Sequence, residues 1–122
     1  MSKIEKLTDK AYTKLNSSRA LYNIGNYGDS ASMAYYSMFL MAKALLNKIG
    51  LDAKTHKGLI GLFYLNYVIE NNFDYNIYKS LATCQSTRED ADYGISDDIT
   101  SEIAEELIFN AEEFIREAEK FL

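Results

Sequence analysis

The sequence predicts an all-α protein: a single domain over residues 1–122, folded as an antiparallel up-and-down helical bundle of four to five helices. Three observations carry that reading. Proline is absent and the six glycines fall mostly between helical patterns, the punctuation of helices rather than of a turn-rich β protein. From Ala31 to Leu46 the chain is apolar on every face of a helix, broken only by Ser32, Ser37 and Lys43. Such a helix is buried by neighbours on several sides. From Ile99 to Leu122 apolar residues keep a helical period against a row of glutamates. With 48% hydrophobic and 13% aromatic residues, the chain has enough apolar matter for a core.

The first helix is expected from Lys3 to Ile24, where Ile4, Leu7, Ala11, Leu15, Ser18 and Tyr22 recur on one face. Lys3, Lys6, Lys10 and Lys14 form a second stripe beside it, read as a solvated edge. The segment Gly25 to Asp29 ends this helix and starts the next, with Asp29 or Ser30 as N-cap candidates. The second helix then runs from about Ser30 to Ile49, closed by Gly50 in the left-handed position after a helix end. Its run is too short for a bilayer, which needs about 20 apolar residues, so no membrane association is expected. A third helix begins near Thr55, its N-cap, and carries Leu59, Ile60, Leu62, Phe63 and Val68. A fourth, from about Asp74 to Glu89, presents Ile77, Tyr78, Leu81, Ala82 and Gln85 on one side. Ser96 with Asp97 and Asp98, or Thr100 with Glu102, opens the last helix with the polar and acidic groups its dipole favours. The short connections imply that sequential helices are antiparallel neighbours.

The net charge of −5 argues against a general nucleic-acid coat, but it hides an asymmetry. From Met1 to Lys57 nine Lys/Arg stand against four Asp/Glu, and from Gly58 onward four stand against fourteen. That polarity suits complementary packing, and it leaves a basic face for an acidic partner. The single cysteine, Cys84, cannot form an intramolecular disulfide and is expected to be a small buried residue. The opening segment has no apolar signal, so a cytoplasmic address is expected.

Few residues have catalytic spacing. A glycine-rich phosphate loop, an HExxH, a CxxC and a nucleophile elbow are all absent, so neither a metal nor a cofactor is expected. His56, the only histidine, sits at the start of the third helix. The positive helix end favours a neutral imidazole there, able to take or give a proton near pH 7. A structural hydrogen bond is the competing role. Arg88, near the end of the fourth helix, can pair with Asp92 or grip a phosphate. Tyr35 and Tyr36 need partners for their hydroxyls, and either line a cleft or pack in the core.

Four segments in order resemble the HEPN superfamily (higher eukaryote and prokaryote nucleotide-binding domain), in particular its short stand-alone prokaryotic branch. They are AYYSMFLMAKALL at Ala34–Leu46, KTHKGLIGLF at Lys54–Phe63, REDADY at Arg88–Tyr93 and AEEFI at Ala111–Ile115. With the first helix they cover nearly the whole chain. The resemblance implies a small helical bundle that commonly dimerises and is often encoded beside a minimal nucleotidyltransferase. Many members are metal-independent endoribonucleases, and some are toxins neutralised by their partner. Active members carry an arginine, four to six residues and a histidine, often with a tyrosine two residues later.

On this chain Arg88 matches the arginine, but Tyr93 stands in the histidine's place and Ile95 in the later tyrosine's. A phenol with a pKa of about 10 is a poor base at neutral pH, so the protein alone is expected to cleave RNA weakly or not at all. The expected function is a homodimeric nucleotide- or RNA-associated module that partners a nucleotidyltransferase in a toxin–antitoxin type of system. Arg88, Asp92, Tyr93 and Tyr36 would bind the ligand. In the alternative, an active ribonuclease toxin, Arg88, His56 and Tyr93 would carry the catalysis; a purely structural dimerisation bundle is the third reading. Arg88, Asp92, Tyr93 and His56 are expected to converge on one cleft. The dimer interface is expected to use either the Tyr35, Tyr36, Met38 and Phe39 region or the terminal helix.

Overall fold

The computed structural model describes residues 2–92 and 99–122, with side chains described for 2–83 and 99–122. Helix α1 spans Lys3–Asn23 and opens with a reciprocal cap. The Ser2 hydroxyl accepts from the Glu5 N–H at 3.1 Å, and the Glu5 carboxylate accepts from the Ser2 N–H at 3.4 Å. It closes on Gly25, whose φ of 85° is open to a residue without Cβ. The Asn26 N–H donates to the Leu21 carbonyl and the Gly25 N–H to that of Tyr22, the paired bonds of a Schellman end.

Helix α2 spans Tyr27–Lys48. It starts three residues before the expected Ser30, with Asn26 rather than Asp29 or Ser30 at the cap. The bonds that end α1 are complete at Asn26, so the next helix begins without a linker. Ser30 is instead buried and clamps the two helices: the Ser18 hydroxyl donates to the Ser30 carbonyl at 2.7 Å, and the Ser30 hydroxyl returns a bond to the Ser18 carbonyl at 2.8 Å. Gly50, with φ 82°, ends α2 by the same pair of bonds, made by Gly50 and Leu51.

After α2 the chain doubles back. Asn47 donates to the Leu51 carbonyl, Asp52 lies 3.9 Å from Lys43, and His56 reaches Tyr35 and Phe39. Helix α3 (His56–Phe63) and the π-helical turn that continues it (Tyr64–Ile69) therefore run in the same direction as α2. The Tyr67 hydroxyl fixes that course by donating to the Leu45 carbonyl. Antiparallel pairing thus fails at this one connection, because an extended loop rather than a tight turn joins the two helices. The π turn was also unforeseen, since one extra residue per turn leaves no mark on apolar spacing.

Helix α4 spans Tyr75–Asp92, and α5 spans Ser101–Glu119 with Thr100 as N-cap. The Thr100 hydroxyl accepts from the Ile103 N–H at 3.2 Å. The Asp74 N–H donates to Glu117, so α4 starts where α5 ends and the two are antiparallel. Tyr12 to Glu119, Arg19 to Glu112 and Tyr22 to Glu105 set α5 antiparallel to α1.

Helix α2 touches α1, α3, α4 and α5, as its all-round apolar surface requires. Tyr35, Met38, Met41, Leu45 and Leu46 are fully buried, and Phe63, Phe73 and Phe114 form an aromatic layer against them. Tyr35, Met38 and Phe39 are 0%, 0% and 8% exposed within one chain. They need no second subunit to cover them, so of the four α2 residues named for a dimer interface only the half-buried Tyr36 offers surface. On α4, Leu81 is buried while Ala82 faces solvent; the Gln85 and Cys84 side chains lie outside the described residues. Among the described residues no helix is long and apolar enough to cross a membrane.

Candidate functional site

The first residue of α3 is His56. Thr55 caps that helix, its hydroxyl accepting from the Gly58 N–H at 3.0 Å. Gly58 makes the approach possible: a Cβ there would sit 2.9 Å from the Thr55 hydroxyl oxygen. The capped turn directs the imidazole onto α2. There the Phe39 ring stacks on it, with centroids 4.0 Å apart and planes 20° from parallel. Tyr36 meets it edge to face at 5.9 Å. The buried Tyr35 hydroxyl lies 2.8 Å from His56 Nδ1 in a hydrogen bond. The imidazole is half-buried.

This arrangement is chemically specific. Residues 35, 36 and 39 stand one, three and four apart on α2, so three rings reach one imidazole from a single helix face and its shoulder. The hydrogen bond engages Nδ1 and fixes the ring's rotation. Core packing and an ordered histidine are both present, and the first serves the second.

Tyr36 is also half-buried and has a second neighbourhood. With Lys10, Lys14, Met33 and Leu40 it lines a groove of about 330 Å³ between α1 and α2. The lysine stripe expected on a solvated edge of α1 thus supplies two residues, Lys10 and Lys14, to the wall of this groove. The signal that could have found them is their four-residue spacing on the flank of α1 that turns toward Tyr36.

Some of the cations are paired and others are not. Arg19 pairs with Glu112, Arg116 with Glu113, Lys120 with Glu117, and Lys3 and Lys43 approach Asp52. Among the described residues Lys6, Lys10, Lys14, Lys48, Lys54, Lys57 and Lys79 form no ion pair; Lys10 and Lys14 lie in the groove, and Lys54 and Lys57 flank His56. Nor do three His, Cys, Asp or Glu side chains gather as ligands for a metal ion among the described residues.

Of the expected site residues, the structure brings His56 and Tyr36 together. Arg88 and Asp92 fall in the last turns of α4, three residues longer than expected, but their side chains lie outside the described residues. Tyr93 lies outside them altogether. The backbone does carry α4 back toward the end of the bundle where α3 begins, since the chain reverses between the π turn and α4.

The sequence of this bundle matches the family model of the HEPN domain over residues 4–121. The chain belongs to the HEPN family. Two proteins of Methanocaldococcus jannaschii, each named a putative toxin, are similar to this HEPN chain. One is 33% identical over 119 residues, 98% of this chain and 81% of the relative; the other is 34% identical over 98% and 88%. A UPF0332 protein of Archaeoglobus fulgidus is 31% identical over 97% of this chain and 94% of its own length. The resemblance carried by the α2 run and the KTHKGLIGLF segment is thus family membership.

Proposed function

We propose that this HEPN domain is a cytoplasmic, homodimeric nucleotide- or RNA-binding module that partners a minimal nucleotidyltransferase in a toxin–antitoxin type of system. The observation that supports it most is the seat of His56. An imidazole oriented by a buried phenol, stacked on Phe39 and flanked by unpaired lysines is more than a helix cap requires. It is suited to a ligand with both a phosphate and a flat base. Arg88 and Asp92 on α4, and Tyr93 after it, complete the site in this reading. The toxin names of the two archaeal relatives support the partnered, toxin-like setting. For the dimer, the terminal helix is favoured of the two surfaces first considered, and Phe109 on it is 58% exposed.

The test is fluorescence anisotropy with two labelled probes, AMP and a single-stranded RNA of about 12 nucleotides, a length that fits known single-strand sites. Binding by the wild type, weakened at least tenfold in both His56→Ala and Arg88→Ala with unchanged circular dichroism, is expected. Affinities unchanged in both variants would overturn the reading.

The ribonuclease reading is favoured by one observation, the hydrogen bond with Tyr35 that holds the His56 ring in a fixed orientation. There the ribose 2′-hydroxyl would give its proton to the imidazole while its oxygen attacks the adjacent phosphorus. The 5′-oxygen of the next nucleotide would leave with a proton, giving a 2′,3′-cyclic phosphate and a 5′-hydroxyl. Metal-free cleavage that disappears in His56→Ala would make this the correct class. The binding module leads because Tyr93 stands where active relatives of the resemblance carry histidine.

A further inference from the structure

We infer that the groove between α1 and α2 is a subsite for single-stranded RNA, in which Lys10 and Lys14 hold successive phosphates and Tyr36 stacks a base. The inference rests on the nucleotide-ligand reading of the His56 site and extends it to a second stretch of the strand. Three observations support it, the first two independently of His56.

The first is composition. The groove of about 330 Å³ sets two ammonium groups beside a phenol ring, a thioether and a leucine. A basic track with an aromatic platform is how proteins hold single strands without reading their sequence. An acidic peptide would satisfy the lysines but has no flat group for Tyr36.

The second is charge. Among the described residues neither Lys10 nor Lys14 forms an ion pair, whereas Arg19, on the other flank of the same helix, does. Four residues of helix advance about 6 Å, so the two ammoniums are spaced like neighbouring backbone phosphates rather than like two grips on one. The glutamate row of α5 lies across α1 from this groove and turns a polyanion toward it.

The third is continuity. Tyr36 belongs to both places: it lines the groove, and its ring centroid is 5.9 Å from that of His56. A strand whose base rests on Tyr36 arrives at the imidazole within about one nucleotide. The groove therefore acts as an anchor that fixes which phosphate meets His56.

The experiment measures anisotropy of the same labelled RNA and of labelled AMP across a salt series. Its variants are Lys10→Gln/Lys14→Gln, Tyr36→Leu, Arg88→Ala and, as a control that removes one exposed cation elsewhere, Lys79→Gln on α4. The lysine pair should lose at least tenfold in RNA affinity, with a salt slope shallower by about 1.4, the value for two lost phosphate contacts on a single strand. AMP, too short to span both places, should bind that variant as it binds the wild type. Tyr36→Leu should lose at least fivefold without a change in slope, and Lys79→Gln should be unaltered. If the lysine pair binds RNA like the wild type while Arg88→Ala does not, the groove is overturned and the His56 reading stands. If neither probe binds the wild type, both fall. If an oligoglutamate displaces the RNA from the wild type at equal concentration of charges, the groove takes acidic peptide and the RNA assignment is wrong.

Discussion

Helix α1 treats charge in two ways on its two flanks. Toward α5, polar groups meet partners in rungs: Tyr12 with Glu119, Arg19 with Glu112, Tyr22 with Glu105. Toward α2, Lys10 and Lys14 open onto a groove whose lining among the described residues holds no counter-charge. Both flanks are solvent-facing, so burial does not explain the difference. Pairing satisfies the first flank within the chain, and the second has its charge left over for something outside the chain. Continuing past the groove, the same side of the molecule holds the His56 cluster, where an imidazole rests on three rings.

The largest effect should come from breaking that cluster. Phe39→Ala removes the ring stacked on His56 and opens space beside Tyr35 and Tyr36; large-to-small changes of a buried phenylalanine cost about 3–5 kcal/mol. Urea unfolding should give a lower midpoint, and no single truncation among the α1–α5 rungs should match it. A cost below about 1 kcal/mol would place the cluster outside the core.

Tyr35→Phe is subtler. It keeps the packing and deletes the hydroxyl 2.8 Å from His56 Nδ1, at about 1–2 kcal/mol for a buried nitrogen left without its partner. Nitrogen-15 spectra of the imidazole should change their tautomer signature in this variant. Unaltered imidazole shifts would mean that Tyr35 does not set the ring's state.

The smallest effect belongs to the paired flank. Burial, followed by the hydrogen bond and charge of Glu119, pushes the Tyr12 phenol up to about 12 from its usual 10.0. The folded value lies above the unfolded one, so this contribution is whole below about pH 10 and is lost as pH rises through about 12. Tyr22, Tyr67 and Tyr78 are also raised, all chiefly by burial, so the wild type reports several phenols together. The difference between wild type and Tyr12→Phe isolates one: the fall in Tm between pH 10 and 12 should be shallower in the variant. Parallel curves would show that the Tyr12–Glu119 rung does not hold in solution.

Much of the architecture was legible because it follows from local rules. The all-round apolar run from Ala31 to Leu46 can only be a central helix, and it is. Gly25 and Gly50 mark helix ends because only a residue without Cβ takes that φ freely, and Thr55 caps α3 as its position suggested. What could not be read depends on partners distant in sequence. Nothing near Lys10 says that Tyr36 lies across a groove from it. Nothing in the spacing of Phe63 and Tyr67 announces a π turn. The start of α2 was displaced because Asn26 ends one helix and begins another, a double use that a residue-by-residue search for caps misses. His56 is legible as a residue of interest, but its support is not: Phe39 is named only within one of two alternative dimer surfaces, and it is the imidazole's stacking surface.

The doubling-back of the chain after α2 has a consequence for how relatives of this domain are aligned and engineered. The imidazole is placed by the length of a seven-residue tether, Ile49 to Thr55, and not by helical phase. Fully stretched, that tether spans about 23 Å, against roughly 13 Å from Lys48 back to Phe39 along the helix axis. Lengthening it would cost little stability, since doubling a loop adds only about 0.6 kcal/mol. It would leave every helix pattern intact. Yet it would free the histidine from the ring it rests on. An alignment that admits gaps freely in this loop can therefore conserve the whole bundle and silently lose its chemistry.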